Sequence, residues 1–258
     1  MRVAFLGATK GMGRALARLM AERGDRLFLL GRDKADLERS ARDLEVRGHS
    51  ASPPGQAAPA VASSSVGVAV CDLEQPDGFP AGLDAAEAYL SGLDAVVVTA
   101  GMFATQDTLE ADPDLTRRLL TVNFANTVVF CEHARKRLLA RGGGTLCVFS
   151  SVAGERGRKP VVLYGAAKAG LTRYLEGLDH RFHAQGLRTV CVKPGFVKTS
   201  MTAGLRTPPF AGEPEVVART VLRAIDAGRP VVYAPPIWAL VMLLIRNLPR
   251  VCMRKLEL

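Results

Sequence analysis

Val3-Ala4-Phe5-Leu6-Gly7-Ala8-Thr9-Lys10-Gly11-Met12-Gly13 opens the chain with an apolar run and a turn carrying three glycines. Arg14 to Arg23 follows with apolar residues at helical spacing, and Gly24 is placed to stop the helix. Strand, glycine turn and helix in that order predict a backbone that turns sharply and lets an anion approach closely. The helix then faces that anion with free N–H groups and its positive dipole end. The spacing is G-x3-G-x-G, distinct from G-x-G-x2-G. Thr9, Lys10 and Met12 lie inside the turn and are assigned with Gly7, Gly11 and Gly13 to a dinucleotide.

Working outward, short apolar strands alternate with helical stretches. Strands are expected at Arg26–Leu30, Val66–Leu73, Leu93–Val98, Gly144–Phe149, Arg188–Lys193 and Pro230–Tyr233. Helices are expected at Asp33–Arg47, around Ala86–Leu90, and at Leu115–Leu139, Leu163–His183 and Pro214–Ala227. The alternation predicts an α/β fold: a Rossmann-type, doubly wound, mostly parallel seven-stranded sheet with helices on both faces. Residues 1–234 form that domain, and 235–258 a separate tail. Residues 48–65, small, polar and proline-rich, read as a flexible insertion. Ser200 to Gly212, with Pro208-Pro209, reads as a substrate lid.

Ligands of such sheets bind at the carboxyl ends of the strands. Gly7, Arg32, Asp72, Gly101, Ser151 and Pro194 all fall at strand ends, which argues for one composite site. Arg32 follows the second strand, where a cation suits the 2′-phosphate of NADP and an acid the 2′-hydroxyl of NAD. Lys10 adds a second positive charge, so NADP(H) is expected ahead of NAD(H), with Asp33 one residue later as the opposing signal. Asp72, with Leu73 beside it, either accepts a hydrogen bond from the adenine amino group or is an ordinary turn residue. Ala100 and Gly101 are small enough for a cofactor to lie over the fourth strand.

The chemistry centres on Tyr164-Gly165-Ala166-Ala167-Lys168, in which tyrosine and lysine sit one helical turn apart on one face. A fixed ammonium is expected to lower the phenol's pKa and make it an acid and base near neutral pH. Ser151 precedes Tyr164 by thirteen residues, so a short loop returns its hydroxyl to the tyrosine helix. Asn123, on an otherwise apolar helix face, reads on pattern as a structural hydrogen bond.

The ordered set Gly7-x3-Gly11-x-Gly13, Asn123, Ser151, Tyr164-x3-Lys168 and Pro194-Gly195-x3-Thr199 resembles the short-chain dehydrogenase/reductase family over about residues 1 to 233. The resemblance implies an oxidoreductase moving a hydride between a nicotinamide and a ketone or secondary alcohol. It implies that Tyr164 is the catalytic acid and base, and that Lys168 tunes it and holds the nicotinamide ribose. Ser151 then orients the substrate oxygen, and Asn123 holds a water in a proton relay behind Lys168. Thr199 and the Val197 backbone then take the nicotinamide carboxamide, and Pro194 and Gly195 are further cofactor contacts. A homodimer or homotetramer is implied as well. Where the family often has Asn-Asn-Ala-Gly, this chain has Val98-Thr99-Ala100-Gly101, which leaves the asparagine hydrogen bonds of that turn to be replaced. A dinucleotide sensor would need only the glycine turn; the complete Ser151, Tyr164 and Lys168 set favours an enzyme.

Charge and cysteine use frame the rest. Thirty-four Lys and Arg against twenty-five Asp and Glu give a net charge of +9, which suits anionic partners or a solvated surface. No basic run of nucleic-acid type appears. Five cysteines without a CxxC pair predict a reducing, cytoplasmic setting, with no disulfide and no metal site. The first strand begins at Arg2 or Val3, leaving no room for a signal peptide. Ile237 to Ile245 is a nine-residue apolar run followed by Arg246, Arg250, Arg254 and Lys255. It is too short to span a bilayer, and is expected to pack on the core, on a partner, or on a membrane surface. The tail is similar in character to those of short-chain reductases acting on lipid-linked or long-chain keto substrates; a soluble small-carbonyl substrate is the alternative.

Overall fold

The computed structural model describes residues 1–50 and 66–256. Seven strands form one sheet: β1 (Arg2–Leu6), β2 (Arg26–Gly31), β3 (Gly67–Val70), β4 (Ala95–Val98), β5 (Gly144–Phe149), β6 (Leu187–Pro194) and β7 (Val231–Ala234). Their order is β3-β2-β1-β4-β5-β6-β7 and every pairing is parallel. The order reverses between β1 and β4, the place where such sheets leave a crevice at their carboxyl edge.

A parallel strand buried on both faces must supply apolar side chains to each in alternation. Val3 and Phe5 of β1 point to one face, and Ala4 and Leu6 to the other; Leu27, Leu29 and Phe28, Leu30 of β2 divide the same way. On the first face lie α1 (Gly11–Glu22), α2 (Lys34–Ser50) and α8 (Pro214–Asp226). On the second lie α3 (Phe79–Leu90), α6 (Asn126–Ala140) and α7 (Val162–Phe182). Between β4 and α6 run α4 (Gln106–Ala111) and α5 (Pro113–Leu120), and α9 (Ile237–Asn247) and α10 (Arg250–Lys255) end the described chain. Among the described residues, no helix is long and apolar enough to cross a membrane.

Most elements end within a residue or two of expectation, and three differences matter for the site. Helix α2 runs on through Gly48–Ser50, so those residues are not insertion; residues 51–65 lie outside the described residues. Strand β3 ends at Val70, because the chain turns at Asp72, whose carboxylate accepts the Glu74 N–H at 3.0 Å. The expected single helix over 115–139 is two, α5 and α6, joined by a π-turn at Thr121–Ala125. An extra residue in a helical turn leaves the apolar spacing on either side intact, so the sequence pattern does not reveal it.

Candidate active site

The glycine turn is built by contacts that only glycine permits. Gly7 sits at φ +99°, and a Cβ there would lie 2.5 Å from the Ala100 nitrogen. On Gly13 a Cβ would meet the Gly7 carbonyl oxygen at 2.2 Å. The β1 exit, the β4 exit and the start of α1 are therefore pressed together. Thr99, where the family often has asparagine, donates its hydroxyl to the Gly7 carbonyl at 2.8 Å and so ties the two strand ends. No side chain caps α1, which leaves its first turn of N–H groups and its dipole facing the cleft.

That cleft is open and has a volume of about 430 Å³. Gly7, Thr9, Lys10, Gly11, Met12, Gly13, Arg32, Asp72, Leu73, Ala100, Gly101 and Thr199 line it. Pro194, Gly195 and Val197 do not, and neither do Asn123, Ser151, Tyr164 and Lys168; Val197 is buried and Gly195 lies under the Trp238 indole. Asp36 and Phe103, not expected from the sequence, also line the cleft, as do Ser200 and Met201 of the expected lid. Asp36 pairs with Lys10 at 3.1 Å and also with Arg39. The Lys10 hydrogen bond, before Arg39, holds Asp36 below the usual carboxylate range. Asp33 accepts the Asp36 N–H at 2.9 Å and so serves the α2 N-terminus. Arg32 is exposed at the cleft and forms no hydrogen bond or ion pair among the described residues.

Ser151, Tyr164 and Lys168 come together because α7 docks closely on the β5 exit. A Cβ on Gly154 would lie 2.7 Å from Lys168 backbone, and one on Gly165 would lie 2.8 Å from the Ala153 carbonyl oxygen. Ser150 adds a tether: its hydroxyl donates to the Lys168 carbonyl at 2.9 Å and pairs with Thr172 at 2.7 Å. Ser151 begins a short 3₁₀ turn, where its side chain accepts the Ala153 N–H at 3.0 Å, and its hydroxyl lies near enough to the Tyr164 phenol to oppose the rise in that group's pKa. Phe103 packs edge-on against Tyr164 with ring centroids 5.2 Å apart, which joins the phenol to the cleft wall.

Lys168 is buried and donates to the Phe149 carbonyl at 2.9 Å. Its ammonium lies 5.8 Å from the Tyr164 ring centroid. Burial pulls its pKa down to about 8. The expected lowering of the phenol by this ammonium is not found. Burial pushes Tyr164 up to about 12, and the Ser151 hydroxyl is what opposes it. Sequence spacing carries no record of how much water reaches a side chain, which is why the sign was misread.

Asn123 sits on the π-turn, fully buried. Its Oδ1 accepts the Met102 N–H at 2.9 Å and its Nδ2 donates to the Met102 carbonyl at 2.7 Å. A Cβ on Gly101 would lie 2.9 Å from Asn123 Oδ1 and 3.8 Å from Lys168 Nζ. Asn123 thus fixes the β4 exit against Lys168, with its amide spent on backbone. Among the described residues no group of His, Cys, Asp or Glu is arranged to hold a metal ion.

Residues 2–209 match the family "short chain dehydrogenase", and the chain belongs to it. An uncharacterized oxidoreductase of Mycobacterium tuberculosis is 35% identical over 162 residues, 62% of this chain and 64% of that protein. The match therefore spans less than two thirds of that relative's length. Carbonyl reductase family member 4 of Xenopus tropicalis is 26% identical over 87% of this chain and 90% of its own. A short-chain type dehydrogenase/reductase from Mycobacterium ulcerans superposes with a TM-score of 0.77 at 20% identity, covering 90% of this chain and 86% of its own, and so shares the fold.

Proposed function

We propose that this short-chain dehydrogenase is an NADPH-dependent reductase of ketones, working in reverse on secondary alcohols. The observation that carries it is a phenol beside a serine hydroxyl, one helical turn from a buried ammonium, packed on Phe103, which lines the glycine-lined cleft. The cleft suits a dinucleotide: Gly7 and Gly13 allow close backbone approach, and α1 offers uncapped N–H groups to a pyrophosphate. Arg32, which has no hydrogen-bond or ion-pair partner among the described residues, is the group for a 2′-phosphate, while the nearby carboxylates are engaged, Asp33 at a helix cap and Asp36 with Lys10. Bound there, the nicotinamide supplies the hydride.

The chain's own residues do the rest. Ser151 holds the substrate oxygen and keeps the phenol aimed at it. Tyr164, whose pKa of about 12 keeps it protonated at neutral pH, donates the proton to the oxygen that gains charge. Lys168, cationic below about pH 8, is the group placed to hold the nicotinamide ribose. Phe103 and the Thr199–Met201 segment narrow the cleft around the reacting group.

The fold serves a soluble carbonyl or a lipid-borne keto group equally well. The second is favoured by a tail helix that leaves Leu240 and Leu244 exposed while packing beside the loop that edges the cleft. Tyr164→Phe tests the central reading. NADPH binding, followed by fluorescence, is expected to hold, and turnover on a panel of keto-lipids, keto-sugars and simple ketones to fall roughly 10²–10⁴-fold. A mutant with undiminished turnover would refute the assignment.

A further inference from the structure

We propose that α9 and α10 form a docking face for an anionic lipid bilayer. This rests on the tail and not on the redox reading. Helix α9 has two apolar faces. One is used: Trp238 and Met242 are buried with Val152, and Phe196, Tyr233, Val241 and Ile245 pack around them. The other is not. Ile237, Leu240, Leu243 and Leu244 are 39%, 56%, 48% and 65% exposed, and Val251 of α10 is 62% exposed. Positions 237, 240 and 244 follow helical spacing within α9, so they line one side of it. Six of the seventeen large exposed apolar residues among those described fall between Ile237 and Leu256. Scattered singly they would mean little; gathered within one terminal segment, four of them on α9, they mark a contact surface.

Charge says what the contact is. From Ile237 to Lys255 the chain has four cations, Arg246, Arg250, Arg254 and Lys255, and no acidic residue. Arg246 reaches Glu155 at 3.4 Å. Arg250, Arg254 and Lys255 have no ion pair among the described residues. An apolar stripe bordered by unpaired cations matches the interface of a bilayer carrying anionic headgroups. A second copy of this chain, itself basic, would bring like charges together. The face is also coupled to the site: the Trp238 indole donates to the Phe210 carbonyl at 3.2 Å, and Phe210 belongs to the loop whose other end, Thr199–Met201, edges the cleft.

The full chain is sedimented with vesicles of phosphatidylcholine alone and of phosphatidylcholine mixed with phosphatidylglycerol. It is expected to pellet with the mixed vesicles and stay in solution with the neutral ones. Leu240→Ser/Leu244→Ser and Arg250→Glu/Arg254→Glu are each expected to weaken that binding at least roughly tenfold. NADPH binding and melting temperature check that both variants remain folded. The proposal is overturned if the wild type ignores anionic vesicles, if both variants bind as the wild type does, or if the leucine variant changes the chain's mass in lipid-free solution, which would assign the face to a subunit contact. NADPH turnover of the variants on a water-soluble ketone is expected to be unchanged, so failure here leaves the redox reading standing, and the reverse.

Discussion

Lys168 is held by one carbonyl in a place water scarcely reaches, and its proton is correspondingly loose. With a folded pKa of about 8, below the ordinary 10.5, its charge is present below that value and lost above it. Ketone reduction is therefore expected to fall as pH rises through about 8, while Tyr164 stays protonated to about 12. The pH–rate profile checks this, and Lys168→Arg should move the limb upward by keeping the cation. Stability carries the opposite trend: the unfolded chain holds this proton up to 10.5, so the group's contribution rises between about pH 8 and 10.5. Arg32 makes the cofactor prediction. Arg32→Asp should lower kcat/KM for NADPH by roughly 10–100-fold, the worth of a charged hydrogen bond, and raise the relative use of NADH. Steady-state kinetics with both cofactors decide it. Arg32 was legible in sequence as a cation at a strand end. That Asp36, from one turn into α2, would claim Lys10 was not, because ion pairs between elements leave no local spacing.

At the scale of elements, the site depends on how closely α7 lies on the β5 exit. The apolar alternation of the strands and the glycine turn could be read directly, since period and positive φ are local properties of the chain. Gly154 and Gly165 could not: each looks like a neutral small residue until the opposing backbone is placed. Adding a methyl at Gly165 drives it into the Ala153 carbonyl and must lift the start of α7. Gly165→Ala is expected to cost about 1–3 kcal/mol. It should lower kcat more than it weakens NADPH binding, because the glycine turn lies elsewhere. Thermal melting and single-turnover kinetics together separate the two effects. The π-turn at Thr121–Ala125 was hidden for a related reason: it rotates Asn123 inward without disturbing the apolar pattern before and after it.

For the whole molecule, the tail is part of the folded domain and not an appendage. Trp238 is buried over Gly195, and Glu155 of the Ser151–Tyr164 loop joins Lys193 of β6 at 2.5 Å and Arg246 of α9 at 3.4 Å. Trp238→Ala should cost about 3–5 kcal/mol, a drop in Tm of roughly 6–20 °C at this chain length. A melt unchanged within error would show that α9 is not integral. The sequence reading left core, partner and membrane open for this segment. One helix can satisfy two of them, since its faces are independent and a run of nine apolar residues does not say which side meets what.

The loop after β6 closes on itself. Val197 bridges to Gly212, the Gly212 N–H reaches the Phe196 carbonyl at 2.8 Å, and the Lys198 N–H reaches the Gly212 carbonyl at 3.0 Å. With entry and exit stitched together, the intervening residues can be exchanged as a cassette: evolution could rewrite what this protein accepts without touching the scaffold that holds its nucleotide.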